Sequence, residues 1–119
     1  MKRYKKDPFI GTSKIAEFTA TRAQVIAALG EPTKCWKDDP TDFLRKTVYE
    51  WLLRTEIGPV SVYDWKVENP DFGDDELIVW SVGGRANTYK NRQIHPVTTW
   101  AKSQTGFDVR QTLWENSRF

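Results

Sequence analysis

Five residues in the second half of the chain are of types that could together bind a flat anion. Trp65 and Lys66 close a Tyr63-Asp64-Trp65-Lys66 run, Trp80 stands between Val79 and Ser81, and Gly84 and Arg85 follow closely. An indole face stacks on a flat ring at roughly 1–3 kcal/mol per base. Lysine and arginine pair with phosphate oxygens, and successive glycines let backbone N–H groups turn toward an anion. If the segments are adjacent antiparallel strands, Trp65, Lys66, Trp80, Gly84 and Arg85 are expected near a site for a flat, anionic, nucleotide-like molecule. Gly83-Gly84-Arg85 is not a phosphate loop, which also needs a lysine followed by Ser or Thr. A structural reading competes: the glycines end a strand and permit close packing, and the tryptophans face the core.

Catalytic chemistry has little to work with. His95 is the only histidine, and it precedes Pro96, so it reads as a helix-entry or surface residue. Cys35 is the only cysteine. A Cys35–His95 dyad requires the fold to bring the two together, and nothing local supports it. No His-x-x-x-His or Cys-x-x-Cys spacing offers a metal site. Asp38-Asp39 and Asp74-Asp75 fall in loop-like stretches, where paired carboxylates serve solubility. The expectation is a protein that is not an enzyme, with no catalytic residues, metal or cofactor.

The 119 residues suit one domain, and 39% of them are hydrophobic, enough for a core. A net charge of +2 is nearly balanced, so direct nucleic-acid binding is not expected. Lys2, Arg3, Lys5 and Lys6 cluster at the start and read as a frayed, solvated leader. A single cysteine forms no disulfide within the chain, and no apolar run approaches the length of a membrane span or signal peptide. These features place the chain in a cytoplasm. Six tryptophans give a small domain large apolar area per residue.

The elements that would position these residues are legible in part. Residues 15–20 alternate as a first strand. Thr21 and Gln24 have the spacing of a capping box, Val25, Ile26 and Leu29 share one helical face, and Gly30 with Pro32 ends the helix, which predicts a helix over 22–29. Residues 46–54, 60–67 and 76–82 read as three consecutive strands, with Tyr49, Trp51 and Leu53 on one face of the first and Tyr63 and Trp65 on one face of the second. Short links favour an antiparallel meander. Pro96 opens a second helix and Gly106 closes it. The predicted fold is α+β: a short helix packed on an antiparallel three- to four-stranded meander, with a second, C-terminal helix. Residues 1–8 form the basic leader, 9–106 the domain and 107–119 a C-terminal extension. Val109, Leu113 and Trp114 would be exposed there unless covered by a second copy, so a homo-oligomer is expected.

The run from Thr21 to Thr33 resembles the helix-then-Gly-x-Pro signature of SmpA/OmlA-type outer-membrane lipoproteins and of β-lactamase inhibitory proteins. That resemblance implies a helix packed on a three-stranded meander. The lipoprotein cysteine and signal peptide are lacking here, so the outer-membrane role is not expected to carry over. A wider pattern is similar to small proteins encoded mostly by bacteriophages: Gly11-Thr12, Gly30-Glu31-Pro32, Glu50-Trp51, Tyr63-Asp64-Trp65-Lys66, then Trp80 with Gly83-Gly84. It spans residues 11 to 84, and the segment after Arg85 departs from it.

That resemblance implies a setting of phage–host conflict and a non-enzymatic counter-defence binding protein. In one version the protein sequesters a small anionic, nucleotide-like ligand. In the other it inhibits a host defence protein, such as a nuclease or CRISPR effector, by surface complementarity.

Overall fold

The computed structural model describes residues 2–3, 13–35, 49–64, 73, 75–85 and 94–112. The expected sites Trp65 and Lys66, and the apolar residues Leu113 and Trp114, lie outside the described residues.

The architecture is α+β, with two helices on an antiparallel sheet. Its elements are β1 (Lys2–Arg3), β2 (Ser13–Thr21), α1 (Arg22–Leu29), β3 (Lys34–Cys35), β4 (Tyr49–Thr55), β5 (Gly58–Asp64), β6 (Leu77–Gly84), α2 (Pro96–Thr105) and β7 (Arg110–Gln111). The strand order is β1-β4-β5-β6-β2-β7, with β3 also paired to β4. Thus β4, β5 and β6 form the expected meander. The first long strand, β2, returns beside the last, β6, and three two-residue strands trim the edges.

Helix α1 is bounded as its sequence predicts. The Thr21 hydroxyl accepts the Gln24 N–H at 3.1 Å, and the Gln24 side chain accepts the Thr21 N–H at 2.8 Å. Gly30 ends it with φ +83° and ψ −169°. This is positive-φ backbone outside the left-handed helical well, a region open to glycine. Eight residues are too few to hold a helix in water alone, so α1 depends on docking Val25 and Leu29 into the core. The Trp51 indole N–H pins its end by donating to the Gly30 carbonyl at 2.8 Å.

Both helices cover one face of the sheet. That face contributes Tyr49, Trp51 and Leu53 from β4, Val60, Val62 and Asp64 from β5, and Trp80 and Val82 from β6, all buried. On β4 this is the predicted parity. On β5 it is the opposite of a Tyr63 core face: the valines point inward, and Tyr63 lies on the face without helices, opposite Glu50 and Ser81. The Lys14/Ala16 irregularity in β2 marks a bulge at Ile15, which buries Ile15 and Ala16 in succession.

The outer edge of β4 is closed in pieces. β3 pairs with its first two residues, the Thr33 hydroxyl accepts the Leu52 N–H at 2.9 Å, and β1 pairs with Leu53 and Arg54. Lys2 and Arg3, read from sequence as part of a leader, thereby contribute backbone to the sheet.

Candidate functional site

Three of the five expected binding residues are among those described, and the sheet distributes them. Trp80 is fully buried (0% exposed). Its indole N–H donates to the Ala20 carbonyl at 3.0 Å, and its ring meets Trp51 edge-on with centroids 5.5 Å apart. No face of it is open to a stacking ligand, so Trp80 belongs to the core.

Gly83 and Gly84 lie within β6, which runs two residues beyond the predicted end. They pair with Lys14 and Ser13 of β2. Neither has the positive φ from which an anion-cradling turn is built. Their smallness serves packing on both sides of the sheet. A Cβ on Gly84 would stand 2.6 Å from Val97 Cγ2 of α2, and one on Gly83 would stand 2.6 Å from Ser61 Oγ. Gly84 is therefore the floor under α2, not a ligand contact.

Arg85 is exposed and follows the end of β6. The β5–β6 register pairs Asp64 with Trp80. Arg85 lies five residues beyond Trp80, so the place where β5 leaves the sheet and Arg85 are separated by roughly 17 Å along the strands.

Cys35 and His95 are likewise apart. Cys35 pairs with Tyr49 at the outer edge of β4, whereas His95 meets Arg85 at the far end of β6. Among the described residues, no three His, Cys, Asp or Glu side chains gather as metal ligands. No helix of the described residues is long and apolar enough to cross a membrane. Val109, expected as exposed apolar surface for association, is buried in the protein's own core.

Searches of protein-family models, curated proteins and solved structures find no match to this chain.

The surface that stands out was not expected from sequence. The sheet face opposite the helices carries Glu50 on β4, Ser61 and Tyr63 on β5, Leu77, Val79, Ser81 and Gly83 on β6, and Glu17, Thr19 and Thr21 on β2. Its lower and middle parts are polar or small. Glu17 is bonded to Arg110 and to Lys14, and these two bonds hold its carboxyl below the usual range. Burial, reinforced by the Glu50 charge across the strand, pushes the Tyr63 phenol up.

The upper part is apolar. Leu77 is 65% and Val79 52% exposed, and they pair across the strand with Thr21 and Thr19. Asp75 and Glu76, both exposed, precede Leu77 directly. The sequence held one signal for this patch. Leu77-Ile78-Val79-Trp80 is apolar at both parities, while a strand with one buried face needs only one.

Proposed function

We propose that this chain is a non-enzymatic binding protein that docks on a protein partner through Leu77 and Val79 on the helix-free face of the sheet. The observation that carries this reading is the exposure of two adjacent same-face aliphatic side chains, 65% and 52%, on a strand whose other face turns the half-buried Ile78 and the buried Trp80 and Val82 toward the core. Buried aliphatic area is the main gain on association, and the β-branched Thr19 and Thr21 beside it extend a flat, rigid contact. Asp75 and Glu76 give the patch an acidic margin, which favours a partner with an apolar spot flanked by basic residues. Nucleic-acid-handling enzymes have such surfaces. With the resemblance to phage-encoded proteins, this supports a counter-defence inhibitor of a host nuclease or CRISPR effector.

The test is capture from host lysate by the wild type and by a Leu77→Lys/Val79→Lys double variant, with thermal melts of both. A partner held by the wild type, lost by the variant at unchanged melting temperature and weakened by salt, supports the reading. Equal capture by both proteins refutes the patch.

A second reading, sequestration of a small anionic ligand, keeps one observation in its favour: the guanidinium-bearing Arg85 is exposed at a sheet end. It has lost the Trp80 platform and the Gly84 contact. Purified protein with a nucleotide-like absorbance ratio, or calorimetric heat with a nucleotide that Arg85→Ala removes, would support it over docking. Light scattering separates both from a second copy covering the patch.

A further inference from the structure

We propose that His95 is a pH-sensitive latch that holds α2 and β7 against the end of β6 while its imidazole is neutral. The residue is 2% exposed, and three elements converge on it. As the N-cap of α2, its Nδ1 accepts the Val97 N–H at 3.0 Å. Its Nε2 lies 2.9 Å from the Arg85 carbonyl, which only accepts, so Nε2 carries the proton. Its backbone N–H donates to Gln111 Oε1 of β7 at 2.8 Å, and the Thr98 hydroxyl donates to the same oxygen at 2.7 Å. The ring thus reads one tautomer, with Nδ1 bare and Nε2 protonated.

A second proton must go on Nδ1. It would confront the Val97 N–H, turning the capping acceptor into a donor, and would place a charge in a buried site. Both effects oppose the docked state. Asn, Ser and Asp cap helices without this liability; an imidazole acceptor works only while it is neutral.

Among the described residues, the ring nitrogens meet neutral groups, the Arg85 carbonyl just after β6 and the Val97 N–H of α2, while Gln111 of β7 bonds the His95 backbone N–H and the Thr98 hydroxyl. The charged side chains on the neighbouring described segments are Arg85, Lys102, Asp108 and Arg110, all exposed, together with Lys14 and Glu17 on β2, which are bonded to each other. Burial lowers the folded pKa from the ordinary value of 6.5, with the Arg85 carbonyl opposing in part. In the window below that value the unfolded chain binds the proton and the folded chain does not. Stability is therefore complete above about pH 6.5 and falls as the pH drops toward the folded pKa, on the order of tenfold in the folding equilibrium per pH unit.

His95 is the only histidine, so its ring proton resonances in the intact protein report one site. The expected result is a titration midpoint below 6.5. After correction for intrinsic rates, amide exchange at Val97, Thr98 and Gln111 should accelerate between pH 7 and pH 5.5 relative to Trp51 and Val62. His95→Asn, which caps without titrating, should flatten the change in denaturation midpoint over the same range. A ring midpoint at or above 6.5, or exchange that accelerates no more at these three amides than at Trp51 and Val62, overturns the latch. So does a His95→Asn stability curve with the wild-type slope. If His95→Asn fails to fold, the first two measurements on the wild type decide it.

Discussion

The two faces of the sheet are made from the same strands yet follow opposite rules. On the helix side, Trp51, Val62, Trp80 and Val82 are large or branched and have no exposure above 1%. Polar atoms there are paired: Trp51 with Gly30, Trp80 with Ala20, and the buried Asp64 carboxylate with the Tyr49 N–H. At the upper rim Arg22 adds a bond to the Tyr49 hydroxyl and a cation over its ring. The other face carries Ser61, Ser81 and Gly83 at its centre and leaves Leu77 and Val79 in water. One face spends its apolar residues on folding. The other carries apolar residues that folding does not use. Residues that stabilise and residues available for binding are therefore separable in this protein, and single substitutions should tell them apart.

The largest break in that comparison is Trp80→Ala. Removing a fully buried indole, together with the bond it donates to the Ala20 carbonyl, should cost about 3–5 kcal/mol in a denaturant titration. A cost below 1 kcal/mol would mean that the helix side is not the packed one. Next is Gly84→Ala. Its new methyl meets the stiff, β-branched Val97 at 2.6 Å, so a loss of about 1–3 kcal/mol is expected, partly recovered by Val97→Ala in the same chain. Gly83→Ala probes the opposite face. It meets the Ser61 hydroxyl, which can rotate away, and the Ser13 carbonyl at 3.3 Å, so it should cost less than Gly84→Ala. The reverse ranking would contradict the assignment of the two faces. Thr21→Ala removes the capping box and should cost about 1 kcal/mol, read as lowered melting temperature. The smallest effect belongs to Leu77→Lys and Val79→Lys, each within about 0.5 kcal/mol of wild type. A larger loss would show that the patch contributes to folding.

Much of this arrangement could be read from residues. Thr21, Gln24 and Gly30 bound α1 because capping is a local hydrogen-bond problem that three side chains solve. Pro96 and Gly106 bound α2 for similar reasons, Gly106 adopting φ +74° and ψ 5°. Tyr49, Trp51 and Leu53 showed their face because Glu50 and Arg54 mark the other. β5 was ambiguous, since Tyr63 with Trp65 and Val60 with Val62 compete as core faces, and only the helices' position decides between them. β6 misled in two ways. Its apolar residues occupy both parities, and Gly83-Gly84 looked like a terminator although it is strand built to let α2 and Ser61 come close. Trp80 and Gly84 proved to be packing residues, because whether a tryptophan stacks on a ligand or on another tryptophan is a tertiary fact. Arg85 remained on the surface, but the register set it at the sheet end away from Asp64.

The edge-on meeting of Trp51 and Trp80 has a spectroscopic consequence. Two indoles with centroids 5.5 Å apart and planes inclined at 74° are close enough for their electronic transitions to couple. Such a pair should give a signed couplet in circular dichroism at the indole bands. The couplet depends on β4 and β6, non-neighbouring strands bridged by β5, holding their register. It should vanish with Trp51→Phe or Trp80→Phe and survive changes at Leu77 or Val79. The protein thus contains its own optical gauge of whether the centre of its sheet is intact, readable without any label.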